Sequence, residues 1–220
     1  MDISQVILVV LCSYVIGSVP TAYIIGKTKG INIFEVGSQN MGATNMARVL
    51  GKKWGFAVLF LDSFKGVIAI FLSRYIVDPM TNVLVADTPA RWTATVLAAI
   101  FVVVGHNWSI WVTMITGQLR GGKGAATAFG TLVTMAPPQV IIGLSLLGGL
   151  IIARTRYVSL GALTMAAGGF VWMIVLALQQ IIPLEYVLYV FAVGLMIVVR
   201  FRENIERLLH GTERRFGERA

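Results

Sequence analysis

Between residues 3 and 26 the chain carries no charged side chain, and the same holds for 125–153 and 157–184. A helix needs about 20 apolar residues to cross a hydrocarbon core of about 30 Å. Runs of this length are too many and too long to be hidden inside a soluble globule. Composition agrees: 57% of residues are hydrophobic and 13% charged, where a soluble domain carries roughly 25% charged. A soluble enzyme and a disordered chain are excluded. A disulfide scaffold is excluded as well, because Cys12 is the only cysteine and a bridge needs two. The opening Met1-Asp2-Ile3-Ser4 lacks the basic start of a signal peptide, so the first run is expected to stay as a membrane span.

Three further runs suit a membrane: 54–76, which holds Asp62 and Lys65, 92–119, which holds His106, and 185–199. The topology turns on 125–153. As one straight helix it would be about 43 Å long, and Pro137-Pro138 in its middle breaks it. Two short helices, 125–136 and 139–153, fit better. The basic loops 27–53, 116–124 and 154–158 and the tail 200–220 then fall on one side, with 15 of the 18 Lys and Arg. Lys and Arg collect on the cytoplasmic face, so the net charge of +8 reflects topology and predicts no nucleic-acid partner. The chain is expected to be an all-α integral membrane protein, a single polytopic domain over 1–220. We read it as a compact bundle of seven transmembrane helices with the N-terminus outside and the C-terminus cytoplasmic. Charge parity alone fits five spans plus a re-entrant hairpin equally well. The tail sets Ile205, Leu208, Leu209 and Phe216 among charges and reads as an interfacial helix with a basic polar face.

The glycine-rich polar loops share the basic side. The first is Gly37-Ser38-Gln39-Asn40-Met41-Gly42-Ala43-Thr44-Asn45, followed by Arg48. Small residues admit a ligand to the backbone, Ser, Asn and Thr donate hydrogen bonds, and Arg48 can fork onto phosphate. A plain turn that caps a helix would use the same residue types. The second is Arg120-Gly121-Gly122-Lys123-Gly124. It departs from a nucleotide P-loop because Gly124 stands where Ser or Thr would hold magnesium, and it follows a membrane helix rather than a strand. One ammonium on a flexible backbone still suits phosphate. The third, Arg154-Thr155-Arg156-Tyr157-Val158-Ser159, reads equally well as a membrane anchor. In the tail, Asn204 and Arg207 share a helical face.

Within the membrane, Asp62 and Lys65 are spaced to pair on one helix, and a charge at that depth needs a partner. His106 could bond a neighbouring helix or serve a ligand. The cytoplasmic loops contain no cysteine, and neither His106 nor His210 is followed by Asp five residues on. Asp2, Asp62, Asp78 and Asp87 are scattered, so no carboxylate cluster for a metal is expected.

Six pieces in order resemble a known family. They are the 37–45 loop with Arg48, Asp62-x-x-Lys65-Gly66, Gly105-His106, Gly121-Gly122-Lys123-Gly124, Tyr157-Val158-Ser159, and Asn204-Ile205-x-Arg207-Leu208. With Gly17-Ser18-Val19-Pro20 and Gly211-Thr212-Glu213 at the ends, the likeness covers nearly the whole chain. It is to the bacterial acyl-phosphate-dependent glycerol-3-phosphate acyltransferases of the PlsY type. The resemblance implies a seven-helix bundle in the bacterial cytoplasmic (inner) membrane with its site facing the cytoplasm. It implies transfer of a fatty acyl group from acyl phosphate to position 1 of glycerol-3-phosphate, giving lysophosphatidic acid. It further implies a soluble partner enzyme that makes the acyl phosphate, and no metal, cofactor or acyl-CoA. Three positions depart from the family's habit: Gln39 for Gly, Met41 for Pro, and Phe201 where many members have His.

The candidate catalytic residues on this reading are Lys123, Arg48 and Ser38. The candidate substrate-binding residues are Asn40, Gly42, Asn45, His106, Gly121, Gly122, Ser159, Asn204 and Arg207. Acyl phosphate is already activated, so the acceptor hydroxyl can attack it directly while the basic groups position two phosphates. The competing reading is a transporter of a phosphorylated solute. It predicts a polar path through the membrane and repeated halves, and no repeat is evident.

Overall fold

The computed structural model describes residues 1–80, 82–85 and 88–218, and all regular structure among them is helical. In chain order the helices are α1 (Ile3–Ser18), α2 (Thr21–Thr28), α3 (Ala43–Leu50), α4 (Lys52–Val77), α5 (Pro89–Asn107), α6 (Ile110–Thr116), α7 (Ala125–Met135), α8 (Pro138–Thr155), α9 (Val158–Leu178), α10 (Tyr186–Arg200) and α11 (Arg202–Leu209). The stretches Ile3–Thr28, Lys52–Val77, Pro89–Thr116, Pro138–Thr155 and Val158–Leu178 are long and apolar enough to cross a membrane. The helices α7 and α10 are apolar but shorter. The interior is built from small and branched side chains such as Ile70, Ala99, Val102, Val103, Leu144, Met173 and Val193. Outward faces carry Phe60, Leu146, Val171, Leu188 and Leu195, each 60–69% exposed. That inside-out surface is suited to lipid rather than water.

The break at Pro137-Pro138 falls where the two prolines place it. Ala136 is extended and Pro138 opens α8 at its first position, where a missing N–H costs nothing. Two other expected spans differ from single rods. The 3–26 run is bent at Val19-Pro20, because the proline ring disfavours helical backbone in the residue before it. The 92–119 run is bent at Trp108-Ser109, and Ser109 caps the new helix by accepting the Val112 N–H at 3.2 Å. The two bends face each other. Tyr14 donates its hydroxyl to the Trp108 carbonyl at 2.9 Å, Ser109 donates to the Ser18 carbonyl, and Lys65 donates to the Val19 carbonyl at 3.1 Å. Backbone groups released inside the bundle thus find side-chain partners, as a lipid-embedded chain requires.

The short helix expected in the tail forms but stops before Phe216. It is confined to Arg202–Leu209, and Gly211 turns the chain with φ of 69°. The following residues fold back across the end of the bundle. The Phe216 N–H reaches the Arg156 carbonyl at 2.6 Å, and Arg156 Nη2 donates to the Phe216 carbonyl at 2.9 Å. Residues 219–220 of the expected tail, and Asp87, lie outside the described residues.

Candidate active site

The site is built at the end of the bundle where α2, α6, α8 and α10 finish. The 33–42 loop is folded around Asn45, which is 1% exposed. Its Nδ2 donates to the carbonyls of Val36 and Asn40, both at 3.1 Å, and to that of Ile33 at 3.4 Å. Its Oδ1 accepts the Ser38 N–H at 2.8 Å. Asn45 therefore shapes the loop from within and leaves Ser38 exposed at its tip. Gly42 begins α3 with no side-chain cap, so the first N–H groups of that helix are available to an anion. Arg120 links this loop to the next: Nη2 donates to the Gln39 carbonyl at 3.3 Å, and its guanidinium lies 4.6 Å from the Phe34 ring centre.

After α6 the chain turns back into the bundle. Ser109 N–H bonds the Arg120 carbonyl at 3.3 Å, and Gly122 N–H bonds the His106 carbonyl at 2.9 Å. The glycine-lysine loop therefore lies against the bend between α5 and α6 and is not held out on the surface. Any side chain at Gly122 would overlap the His106 ring. His106 itself is 3% exposed, and its Nδ1 lies 3.9 Å from Asp62 Oδ1. Asp62 in turn pairs with Lys65 at 2.8 Å, so the expected intramembrane pair forms and underlies the loop through His106.

Lys123 points from this loop toward the tail. Its ammonium bonds Asn204 Oδ1 and sits 5.3 Å from the centre of the Phe201 ring. Phe201 thus presents an aromatic face to the cation. Burial, and then the Arg207 charge, push the Lys123 pKa down to about 8, against the opposing pull of Glu213. Asn204 Nδ2 donates to Glu213 Oε1 at 2.6 Å, Ser159 Oγ to the same oxygen at 2.7 Å, and Arg207 Nε to Glu213 Oε2 at 2.7 Å. Burial alone would raise the Glu213 pKa. The bonds from Ser159, Arg207 and Asn204 outweigh it and hold the carboxyl below its ordinary value.

Arg48 stands on α3 across from the returning tail. With Val36, Thr44, Lys52, Phe216 and Glu218 it lines a cavity of about 620 Å³. Burial and the Arg214 charge depress its pKa.

Of the expected site residues, Lys123, Asn204, Arg207 and Ser159 meet in one hydrogen-bonded cluster, with Gly121 and Gly122 leading into it and His106 beneath. Ser38, Asn40, Gly42 and Asn45 form a second group, and among the described residues no hydrogen bond joins it to the first. Glu213, the acid at the centre of the first group, was not foreseen as a site residue. Its signals in the sequence are its place in the Gly211-Thr212-Glu213 piece of the family likeness and an acid set between Arg207 and the Arg214-Arg215 pair. An amide, a hydroxyl and a guanidinium gathered around the Glu213 carboxylate, with the Lys123 ammonium one hydrogen bond away on Asn204, form a donor set suited to phosphate oxygens.

The chain matches the family model for glycerol-3-phosphate acyltransferase over residues 7–211. A glycerol-3-phosphate acyltransferase of Thermus thermophilus is 41% identical over 216 residues, which is 96% of this chain and 94% of that one. Glycerol-3-phosphate acyltransferase 2 of Moorella thermoacetica is 38% identical, covering 97% of this chain and 99% of the relative. Among solved structures, the integral membrane glycerol 3-phosphate acyltransferase PlsY in its glycerol 3-phosphate form superposes with a TM-score of 0.79 at 34% identity, over 96% of both chains. Its lysophosphatidic acid form gives 0.77 at 33% identity, over 96% of this chain and 95% of that one. From the bent apolar helices to the phosphate-suited donors at their end, this chain belongs to the glycerol-3-phosphate acyltransferase family and is an integral membrane acyltransferase of phospholipid biosynthesis.

Proposed function

We propose that the enzyme transfers a fatty acyl group from acyl phosphate to position 1 of glycerol-3-phosphate, releasing lysophosphatidic acid and inorganic phosphate. The observation that carries this is the meeting of Asn204, Arg207 and Ser159 on the Glu213 carboxylate, with Lys123 joined to them through the Asn204 side-chain oxygen, so that three separate segments converge. Solved relatives in glycerol 3-phosphate and lysophosphatidic acid forms support acceptor and product of these kinds. A solute transporter has no need of such a terminal cluster, and the acyltransferase family sets that reading aside.

In the reaction the primary hydroxyl oxygen of glycerol-3-phosphate attacks the carbonyl carbon of the mixed anhydride. The new C–O ester bond forms and the bond from carbonyl carbon to phosphate oxygen breaks. The leaving phosphate takes the hydroxyl proton. Lys123 and Arg207 hold phosphate charge close to the reacting centre, and Arg48 supplies a third cation from α3. The work of the protein is positioning and charge stabilisation. Seven helical legs, counting α1 with α2 and α5 with α6 as one each, cross the bacterial inner membrane. The site end faces the cytoplasm, where both phosphorylated substrates and the soluble enzyme that makes the acyl phosphate are found. The acyl chain extends into the apolar bundle.

Purified protein given acyl phosphate and labelled glycerol-3-phosphate should form labelled lysophosphatidic acid, with intersecting initial-rate plots. Enzyme quenched in acid after exposure to acyl phosphate alone should carry no acyl label. Parallel plots with a trapped acyl-protein would overturn direct transfer. Product formed from acyl-CoA but not from acyl phosphate would overturn the donor.

A further inference from the structure

The cluster above does not use Arg200, the last residue of α10. Its guanidinium is turned onto the glycine-lysine loop. Nε donates to the Gly122 carbonyl at 3.1 Å, and Nη2 donates to the carbonyls of Gly122 at 2.7 Å and Gly121 at 3.1 Å. The same guanidinium lies 5.7 Å from the centre of the Trp108 ring, which sits at the bend between α5 and α6. One planar cation thus grips two successive carbonyls and is itself backed by an aromatic face.

The consequence follows from peptide geometry. A trans peptide points its N–H opposite to its C=O. The Gly121 carbonyl faces Arg200, and the N–H of the same peptide, that of Gly122, faces the His106 carbonyl at 2.9 Å. The Gly122 carbonyl also faces Arg200, so the Lys123 N–H faces away from it. Among the described residues no acceptor takes the N–H of Lys123 or of Gly124, and α7 begins after them without a side-chain cap. The Gly121–Gly122 peptide is also held by its N–H on the His106 carbonyl, but among the described residues no hydrogen bond other than those from Arg200 holds the Gly122–Lys123 peptide. Glycine peptides flip readily, and a flipped Gly122–Lys123 peptide would turn a carbonyl oxygen toward the phosphate in place of a donor.

We infer that Arg200 is a positioning residue for the acyl-transfer reaction. By clamping the carbonyls of Gly121 and Gly122 it fixes the loop with its N–H groups and Lys123 presented to a substrate phosphate. It acts through the backbone and does not itself touch the substrate. The inference rests on the proposed phosphate-binding role of this loop. It also gives a reason for arginine in particular: an ammonium cannot span both carbonyls with the fixed fork of a guanidinium.

The test compares Arg200→Gln, Arg200→Lys and Lys123→Ala in initial-rate assays over both substrates, with thermal unfolding of each detergent-purified protein. Charged hydrogen bonds of this kind correspond to about a tenfold or greater effect. Arg200→Gln should raise KM for the phosphate substrate held by the loop by about that factor, while the other KM moves much less. Arg200→Lys should fall between Gln and wild type. In the Lys123→Ala background, Arg200→Gln should add little, since a loop lacking its cation gains less from being held. If Arg200→Gln folds with wild-type kcat and both wild-type KM values while Lys123→Ala is disabled, the clamp is overturned and the phosphate loop stands. If Lys123→Ala is itself fully active, the phosphate-loop reading falls first. Should Arg200→Gln not fold, Arg200→Lys decides: wild-type KM values in it overturn the clamp, and a selective rise in one KM supports it.

Discussion

Both ends of the bundle gather arginines, and they use them in opposite ways. At the end distant from the site, Arg74 and Arg91 are 2% and 0% exposed. Arg91 donates to the carbonyls of Asn82 and Val85 at 2.9 Å and of Asp78 at 3.0 Å. Arg74 donates to those of Val83 and Leu84 at 3.2 Å and, through Nε, to the Thr95 hydroxyl at 3.0 Å. Most of these donors are directed into the backbone that joins α4 to α5, and Arg74 also reaches the Thr95 hydroxyl on α5 and the Thr134 carbonyl on α7. At the site end, Arg207 keeps 39% of its side chain exposed and pairs with side-chain carboxylates, that of Glu213, which Ser159 and Asn204 also hold, and that of Glu203, 68% exposed. Arg48 lines an open cavity. A cation whose donors are committed to its own main chain holds a loop in place. A cation facing a side chain that can rotate away remains available to a ligand. Arg200 stands between the two kinds: it is at the site end, but it is committed to backbone.

The sharpest way to break this comparison is to delete one cation from each end. Lys123→Ala should lower kcat/KM by about 10²–10³, the usual cost of one preorganised electrostatic donor, while unfolding in detergent stays near wild type. Arg91→Met should do the reverse. It leaves carbonyls in the 78–85 segment without their donor, at about 1–3 kcal/mol each, and should reduce stability by several kcal/mol. The rate per folded molecule should hardly change. A loss of turnover in folded Arg91→Met, or a large loss of stability in Lys123→Ala, would erase the distinction between the ends.

The pair midway between the ends gives a smaller, graded effect. Lys65 and Asp62 have side chains 7% and 3% exposed. Lys65→Met should destabilise by about 3–5 kcal/mol because it strands a buried carboxylate, and adding Asp62→Asn should recover part of that. Activity recovered together with stability would class the pair with Arg91. Stability recovered without activity would place it, through His106 and Gly122, with the site. Thermal unfolding and initial rates on the same preparations separate these outcomes.

These cases also show what was legible beforehand. The apolar runs, the Pro137-Pro138 break and the Asp62–Lys65 spacing were readable because each is a local rule about length, backbone or helical register. The gathering of Lys123 with Asn204, Arg207 and Ser159 was expected only through family likeness, since composition alone allowed each loop to be a plain anchor. The bends at Pro20 and Trp108 were hidden for a physical reason. A membrane helix tolerates a break when other helices satisfy the freed carbonyls, and Tyr14, Ser109 and Lys65 do so from far away in the sequence. Glu213 was hidden for a similar reason: its partners Ser159 and Asn204 arrive 54 and 9 residues away along the chain. Arg74, Arg91 and Arg200 could be counted in the sequence, but which groups they hold depends on how the chain returns upon itself.

The finest test of the comparison is pH. Lys123 titrates near pH 8 because burial disfavours its charge, whereas arginine elsewhere in the site keeps its charge far above that. Lys123 is an ammonium below about pH 8 and a neutral amine above it, so phosphate stabilisation is present at lower pH and lost as pH rises. kcat/KM reports the free enzyme, and should therefore fall above about pH 8 by up to about tenfold per unit. The substrates do not produce that limb, because phosphate monoesters have their second pKa near about 6 and are almost fully ionised by about pH 8. Lys123→Arg keeps the charge while changing its shape. Its profile should be lower throughout yet flat between about pH 7.5 and about pH 9.5. Folded Arg91→Met, altered only at the distant end, should keep the wild-type limb. A limb that persists in Lys123→Arg would assign the titration to another group. A wild-type profile flat through about pH 9 would mean that the ammonium of Lys123 is not what the reacting phosphate needs.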